Sequence, residues 1–416
     1  MPDPAEPTAR PLRVLIASDT FSPDVNGAAK FTEHLASGMA ARGHDVHVAC
    51  PAASRRHGTW PEVYDGERIT AHRIRSYRWY PHDWLRFIWP WRSRHHAARI
   101  LDAVRPDVVH IQSVVVLGRG MAIEAAKRGI RIIGTNHLMI ENLAEHSMLP
   151  RVLWQPVADV WWRDARKSFA RLSAITTPTR RAAGFLERHG RVGRVLAISC
   201  GLRVEDYTPD FAEKPLKRII FVGRVTGEKQ IDVLLKAFRR LPEDLAGSVE
   251  LGIVGGGDQK GSLERMSREL GIDDRTTFHG YVSDEELRSI YTGATVFAMP
   301  SIAELQSIAT MEAMASGLPV VAADAMALPH LCHDGENGFL FEPGSVEDLA
   351  TKLERVLRMP HAEREAMGRR GLEQVRDHDI DRTLELFERL YRGESVEDVA
   401  ADSPNEQDHS LDGKLD

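Results

Sequence analysis

The sequence predicts an α/β protein made of two doubly wound domains, and three observations support this. The chain has 416 residues, enough for two or three domains with substantial cores. Short runs of apolar and β-branched residues alternate with helical segments, as parallel strands and their crossover helices do. The alternation begins again near residue 217, which indicates a second domain built in the same way.

The first half opens with a strand, a helix and a second strand, at residues 13–18, 28–42 and 46–49. Gly43 ends the helix, because glycine is favoured just past a helix C-terminus. Further strands are expected at residues 108–112, 131–135, 174–177 and 195–199. The segments between them are long enough for crossover helices.

The second half repeats the rhythm, with strands expected at residues 218–222, 249–254, 276–278, 295–299 and 320–323. The predicted organisation is a disordered N-terminal tail (1–11), an N-terminal domain (12–200), a connection (201–216), a C-terminal domain (217–378), a helix returning to the N-domain (379–393) and a tail (394–416). The last segment is acidic and lacks periodicity, so we expect it to be disordered.

Composition excludes several classes of protein. With 43% hydrophobic and 27% charged residues, the chain is too apolar to be disordered or fibrous. No apolar run reaches membrane-spanning length, and the start, MPDPAEPTARP, lacks the apolar core of a secretory signal. Cys50, Cys200 and Cys332 lie far apart, which fits a reducing compartment and argues against a zinc cluster. We therefore expect a cytoplasmic protein with no metal site and three buried cysteines.

The charge is distributed unevenly along the chain. Residues 1–200 hold 29 Lys and Arg against 18 Asp and Glu, whereas the net charge of the whole chain is −6. All eight tryptophans also lie in the first half. A basic, tryptophan-rich half joined to an acidic half indicates two domains with different partners.

Two loops that follow predicted strands are suited to anions. The loop at 19–27 ends in Asn26 and Gly27 and leads into a helix N-terminus, whose free N–H groups attract negative charge; a plain turn is the alternative. The loop at 223–229 carries Arg224 and Lys229, a pair suited to a diphosphate, although a solvated loop would look the same. The GGGD run at 255–258 is not a dinucleotide fingerprint and indicates a tight turn near a nucleotide.

The segment PSIAELQSIATMEAMASG at 300–317 predicts a third anion site at the start of a helix. Ser307 is a candidate N-cap, and the amides near Ser307 and Ile308 could face a phosphate. Glu304 could reach a sugar hydroxyl from the loop, and Glu312 a ribose from the helix. The alternative is an amphipathic helix with two surface glutamates.

The order of these motifs resembles the retaining glycosyltransferase family 4. The resemblance rests on SPDVNG (22–27), GTNH (134–137), FVGRVTGEK (221–229), the Glu304-x7-Glu312 segment with MASGLPVV (314–321), and DGENGF (334–339), and covers roughly residues 12–390. It implies the GT-B fold, in which two Rossmann-like domains face each other across a cleft. Leu305-Gln306-Ser307 departs from the short aromatic-glycine pattern of many members.

The resemblance also implies roles. Arg224 and Lys229 would hold the diphosphate of a UDP- or GDP-sugar, Glu312 the ribose, and Glu304 the transferred sugar. The amides at Ser307 and Ile308 would hold the phosphate or the sugar, Asn26 and Gly27 would close over the donor, and His137 would face sugar and acceptor. The family implies front-face attack, in which the departing phosphate takes the proton of the acceptor. Cations and a helix dipole would replace a metal, so no cofactor is expected beyond the nucleotide sugar as co-substrate.

Two segments that combine aromatic and basic residues bear on which acceptor the protein uses. The first contains Trp84, Arg86 and Trp91, with Pro90 interrupting it; the second contains Trp161 and Arg163 on a stripe with Trp154, Ala158, Ala165 and Phe169. Such segments suit an anionic membrane surface, although they could also form core. Residues 134–146 and 304–317 look similar to bacterial enzymes acting on diacylglycerol- or phosphatidylinositol-type lipids.

We therefore expect a retaining hexosyltransferase of glycolipid biosynthesis, peripheral on the inner face of the cell membrane. The first alternative is the same chemistry on a soluble polyol phosphate or saccharide. The second is a nucleotide-sugar-binding protein without catalysis. No nucleic-acid partner is expected.

Overall fold

The computed structural model describes residues 10–24, 26–78, 86–137 and 154–406. Their strands form two large, mainly parallel sheets that confirm the predicted α/β class. The strands of the N-domain are β1 (Arg13–Ala17), β2 (Asp45–Pro51), β3 (Gly58–Tyr64), β4 (Glu67–Ile74), β5 (Tyr77–Arg78), β6 (Arg86–Phe87), β7 (Val108–Ile111), β8 (Arg131–Thr135), β9 (Ala174–Thr177) and β10 (Leu196–Ala197). Those of the C-domain are β11 (Lys217–Val222), β12 (Val249–Val254), β13 (Thr276–Gly280), β14 (Val296–Met299), β15 (Val320–Ala323) and β16 (Gly338–Phe341).

The helices cover both faces of each sheet. In the N-domain they are α1 (Gly27–Ala41), α2 (Pro90–Val104), α3 (Leu117–Lys127), α4 (Trp154–Phe169) and α5 (Arg180–Gly190). In the C-terminal half they are α6 (Ile231–Arg239), α7 (Glu243–Ala246), α8 (Lys260–Glu269), α9 (Asp284–Thr292), α10 (Ile308–Ala315), α11 (Leu328–Leu331), α12 (Val346–Arg358), α13 (His361–Val375), α14 (Ile380–Arg392) and α15 (Val396–Ala401).

The N-domain sheet has the order β10-β9-β8-β7-β1-β2-β4-β3. All neighbours are parallel except β3 and β4, which form an antiparallel hairpin at one edge. Its turn is Asp65-Gly66, with both residues at positive φ, as a two-residue hairpin requires. This hairpin lies outside the predicted strands, although Asp-Gly between alternating apolar and polar residues is its usual sequence signal.

The C-domain sheet is wholly parallel, with the order β13-β12-β11-β14-β15-β16. Apart from the edge strand β13, its strands are largely buried, which is why they read as apolar runs. The strand order reverses between β11 and β14, and the loops that follow these two strands lie side by side. In doubly wound sheets this crevice is where ligands bind.

The chain passes between the domains twice, at residues near 202 and near 379. The two crossings pair, since the N–H of Leu202 donates to the carbonyl of His378 (2.8 Å) and the N–H of Ile380 to that of Leu202 (3.1 Å). Beyond them, α14 lies against the N-domain, and Leu384 and Phe387 belong to its core. Its contact with α1 is so close that a Cβ at Gly38 would lie 2.4 Å from Leu384 Cδ1.

The C-terminal segment differs from the disordered tail expected at 394–416. Ser395 caps α15, whose Val399 is fully buried. Further on, a carboxylate oxygen of Glu406 accepts from the N–H of Ala197 at 2.5 Å. Apolar residues at helical spacing within this segment pack on the rest of the protein. The acidic composition of the segment does not indicate them. Residues 407–416, and residues 1–9 of the expected N-terminal tail, lie outside the described part of the chain.

We expect the protein to lose stability as the pH falls below 6.5. Burial lowers the pKa of His110 to about 3 and that of His137 to about 4. The folded state keeps both rings neutral while the unfolded chain binds protons below its pKa of about 6.5, so their contribution is complete above that pH and is lost towards acid. The cost is about 2 kcal/mol for each ring between pH 7 and pH 5.

Thermal unfolding at pH 7 and pH 5 measures this effect. The ring of His110 bridges the hydroxyls of Tyr391 (2.6 Å) and Thr135 (2.7 Å). His110→Gln should therefore be less stable than wild type at pH 7 but lose about 2 kcal/mol less on acidification. His57→Gln, at an exposed position, serves as the control. An equal loss in the wild type and in His110→Gln would contradict the assignment.

Candidate functional site

A cavity of about 480 Å³ lies between the two domains and is lined by residues of both. From the N-domain come the loop after β1 and the start of α1, including Asn26, Gly27 and Lys30. From the C-domain come the loops that follow β11, β12, β13 and β14, with the first turn of α10. Eight of the residues predicted for the site line it: Asn26, Gly27, Arg224, Lys229, Glu304, Ser307, Ile308 and Glu312.

Two helices point their N-termini into this cavity. The Asn26 side chain accepts from the N–H of Ala29 at 2.9 Å and so caps α1, while the Ser307 hydroxyl accepts from the N–H of Thr310 at 3.3 Å and caps α10. The two ends are close, because a Cβ at Gly27 would lie 3.8 Å from Ile308 Cδ1. The amide ends of both helices therefore offer positive potential to one ligand.

Two cations on the loop after β11 are held by carboxylates. The ammonium of Lys229 donates to Glu304, and both side chains are largely buried. The Arg224 guanidinium lies 3.1 Å from Glu228, which also accepts from the Thr226 hydroxyl at 2.7 Å. The carboxylates thus hold both positive charges at the cavity wall. Glu228 is a partner that the sequence analysis missed, although its position beside Lys229 in the same loop was visible.

Glu312 is held by two tyrosines. The hydroxyls of Tyr207 and Tyr291 each donate to one of its carboxylate oxygens at 2.9 Å. Burial raises the pKa of this carboxyl, and the two hydroxyl donors partly offset the rise. Neither tyrosine was predicted, because they lie 105 and 21 residues away in sequence and no local pattern joins them to Glu312.

Lys30 is a further cavity residue that the sequence analysis missed. It lies one turn into α1 and forms an ion pair across the cleft with Asp284, at 3.5 Å. Glu33 lies 3.6 Å from the same ammonium. The only sequence signal was its position three residues after Gly27, in the first turn of α1.

Gln306 joins the loop before α10 to the C-terminal end of the N-domain. Its carbonyl oxygen accepts from the N–H of Cys200 (2.7 Å), and its amide donates to the Ser199 hydroxyl (3.0 Å). The Thr179 hydroxyl donates to the carbonyl of Leu305 at 3.0 Å. The departure from the aromatic-glycine pattern thus provides contacts between this loop and the N-domain.

His137 does not line the cavity among the described residues. Its Nε2 is 2.9 Å from the Gln112 carboxamide oxygen, and its ring lies 5.0 Å from that of Phe31. Burial lowers its pKa to about 4, so the ring is neutral at pH 7. It follows β8, and the residues after it, 138–153, lie outside the described part of the chain.

The first aromatic segment is partly described. Trp84 lies outside the described residues, while Trp91 is 72% exposed at the start of α2 and stacks on Trp89 with ring centroids 4.6 Å apart. Arg86 donates to the Ser76 hydroxyl at 3.0 Å. Pro90 begins α2 rather than interrupting a helix, since proline suits the first helical position.

The second segment corrects the expectation of a stripe facing the membrane. On α4, Ala165 and Phe169 are buried in the N-domain core, and Trp161 is half-buried against it. Arg163 is exposed. The helical spacing of apolar residues reflects attachment to the core, because a surface helix of a globular domain shows the same spacing.

Other expectations concern cysteines, metals and membranes. Cys50, Cys200 and Cys332 are buried and unpaired, as predicted. Among the residues that the structure describes, no three His, Cys, Asp or Glu side chains gather into a potential metal site. No helix in those ranges has both the length and the apolar character needed to cross a bilayer.

Comparisons with known proteins cover both domains. A family model described as "Glycosyltransferase Family 4" matches residues 25–206, and one described as "Glycosyl transferases group 1" matches residues 207–374. The chain is 30% identical to an MMP alpha-(1->4)-mannosyltransferase of Mycolicibacterium hassiacum, over 70% of each protein. It is 28% identical to sulfoquinovosyl transferase SQD2 of Arabidopsis thaliana over 66% of this chain, a match that spans only 54% of the plant protein.

Among solved structures, sucrose-phosphate synthase of Thermosynechococcus elongatus is similar to this chain, with a TM-score of 0.76 at 20% identity, covering 91% of this chain and 98% of that one. At that identity the likeness concerns the fold alone. It confirms the GT-B arrangement of two α/β domains around a cleft.

Proposed function

We propose that this chain, which belongs to glycosyltransferase family 4, transfers a hexose from a UDP- or GDP-sugar to a membrane lipid. The transfer would retain the configuration of the sugar and would need no metal ion. The observation that carries the proposal is the Lys229–Glu304 pair beside the N-terminus of α10, in a cavity shared by both domains. A cation and a helix N-terminus together suit the phosphate of a leaving group.

The donor would rearrange the ion pairs in the cavity. As the diphosphate binds, its oxygens would replace the Glu304 carboxylate as the partner of Lys229. Glu304 would then be free to accept hydrogen bonds from hydroxyls of the transferred sugar. Arg224 and the amides at Ser307 and Ile308 would complete the anion site, and Asn26 and Gly27 would cover the donor from the other domain.

The ribose would bind at Glu312. Its carboxylate can accept hydrogen bonds from both ribose hydroxyls, and the two tyrosine hydroxyls fix the carboxylate plane. Because this hydrogen-bond-accepting carboxylate is already held in place before the nucleotide binds, less entropy is lost on binding. Glu312 would therefore position the nucleotide and take no part in proton transfer.

In the transfer step, the bond between the sugar C1 and the phosphate oxygen breaks while a new bond forms between C1 and the acceptor oxygen on the same face. The proton of the acceptor hydroxyl passes to the departing phosphate oxygen. No protein nucleophile is needed, and the cations stabilise the charge that develops on the diphosphate. His137 lies outside the cavity wall, so it would reach sugar and acceptor, as a neutral ring, only once the two domains close around the donor.

A lipid acceptor is supported by the surface around the start of α2. The exposed Trp91 stands beside Arg92 and Arg94 on α2, in the half of the chain that carries excess positive charge. Tryptophan beside cations is typical of side chains that enter the interface of an anionic bilayer. The protein would then work as a peripheral protein on the inner face of the cell membrane.

We expect the full chain to bind anionic vesicles at low salt, and Trp91→Ala to weaken that binding several-fold. Each basic residue near the surface contributes about 1 kcal/mol, so binding should fall with added salt and on neutral vesicles. Val63→Ala is the matched control, because Val63 is an apolar side chain of the N-domain that is 67% exposed on β3. Co-sedimentation with vesicles measures both variants. A wild type that ignores anionic vesicles at low salt would contradict membrane docking.

A transfer assay tests the function itself. Labelled UDP-glucose or GDP-mannose is offered with diacylglycerol or phosphatidylinositol vesicles in one arm and an inositol phosphate in the other, each with excess EDTA. Labelled lipid with retained configuration supports the proposal. Labelled inositol phosphate favours the soluble acceptor, donor binding without any transfer favours a non-catalytic protein, and activity that needs added Mg²⁺ contradicts the metal-independent site.

A further inference from the structure

The order of strands in the C-domain sheet sets the direction in which the donor lies. At the carboxyl edge, β14 leads to Glu304, β11 next to it leads to Arg224, and β12 and β13 follow on the far side of β11. In the proposed function the sugar lies at Glu304, the diphosphate at Arg224 and the ribose at Glu312. The Glu312 carboxylate accepts from Tyr291 of α9, the helix that follows β13, so the nucleoside points towards that side of the cavity. The nucleobase therefore reaches the loops after β12 and β13.

Tyr281 stands in that part of the cavity. It directly follows β13, it is 62% exposed, and among the described residues it is the only aromatic side chain that lines the cavity. One edge of its ring rests on Gly256, since a Cβ there would lie 2.6 Å from Cε2 and 2.7 Å from Cζ. The loop after β12 thus supports the ring from one side and leaves more than half of the residue uncovered.

We propose that the ring of Tyr281 stacks on the nucleobase of the donor, an inference that rests on the proposed function. A flat, exposed aromatic surface beside a nucleotide cavity gains by covering the face of a base, and every base has such a face. A purine has the larger face, so stacking on Tyr281 favours GDP over UDP. The phenolic hydroxyl is not required for this contact.

Isothermal titration of the full chain with GDP, UDP and inorganic pyrophosphate tests the inference. Tyr281→Ala should weaken GDP binding about tenfold and UDP binding by less, and leave pyrophosphate binding unchanged, because pyrophosphate has no base. Tyr281→Phe should match the wild type. Val63→Ala, which truncates an apolar side chain that is 67% exposed and lies outside the cavity, is the control and should also match it.

The outcomes separate this inference from the proposed function. If Tyr281→Ala binds GDP and UDP as tightly as the wild type, stacking is overturned while the donor site stands. If it weakens pyrophosphate as much as GDP, the ring acts through the diphosphate loops and stacking is again overturned. If the wild type binds neither nucleotide, the proposed donor site fails and the inference fails with it.

Discussion

Replacing Lys229 by alanine is expected to lower kcat/KM by about 10²-fold or more, because the leaving diphosphate loses a cation placed at its oxygens. Arg224→Ala should act in the same direction. The measurement is transfer, or donor hydrolysis without acceptor, under conditions where kcat and KM are both resolved. Lys236→Ala is the matched control, since this lysine lies on α6 outside the cavity and pairs with Asp232. Near wild-type turnover in Lys229→Ala would contradict the donor assignment.

A double variant separates catalysis from folding. Lys229→Ala alone leaves the buried Glu304 carboxylate without its partner, which costs stability. The Lys229→Ala, Glu304→Gln pair removes that unpaired charge. We expect thermal unfolding to show a recovery of stability in the pair and kinetics to show no recovery of activity.

Gly255→Ala should be the most damaging substitution in the nucleotide loops. Gly255 has φ +122°, a conformation that L side chains rarely adopt, and a Cβ there would lie 2.0 Å from the carbonyl oxygen of Gly223. The loops after β11 and β12 would have to separate, at a cost of about 3 kcal/mol or more, and the site for diphosphate and base would open with them. Thermal unfolding and GDP titration measure the two consequences.

Gly261→Ala provides the comparison for Gly255→Ala. It lies six residues further on in α8, with no atom within 4 Å of the added Cβ. It should be neutral or slightly stabilising, because alanine favours a helix interior over glycine by about 1 kcal/mol. Comparable losses in both variants would show that the contact with Gly223 is not the cause.

Local signals predict most of the fold and the ends of the helices at the cavity. Ser307 was predicted as an N-cap, and Asn26 stands in the equivalent place before α1; both cap their helices through an N–H three residues later. Most of the buried parallel strands are apolar runs and were placed from that pattern, but β16 was not among them. The hairpin β3–β4 and the short helix α15 were missed, because alternation at an edge and a few apolar residues in an acidic segment are weaker signals.

Contacts distant in sequence could not be predicted. Tyr207 reaches Glu312 across 105 residues, and Gln306 reaches Cys200 across 106. The first pair depends on how the connection packs on the C-domain and the second on how the two domains sit together, and no periodicity in the chain encodes either arrangement. In α4, which carries tryptophans, a local pattern is also insufficient. The spacing of its apolar residues shows which face is apolar, but it does not show whether protein or lipid covers that face.

The return of α14 to the N-domain has a consequence for synthesis of the chain. Leu384, Phe387 and Leu390 share a core with Val14, Phe31 and Val108, so the N-domain is completed by residues that are made only after the C-domain. Until then, the surface that α14 covers is apolar and open to solvent. The nascent N-domain therefore depends on protection from aggregation while the C-domain is being synthesised, and a fragment ending at residue 200 would carry that exposed surface permanently.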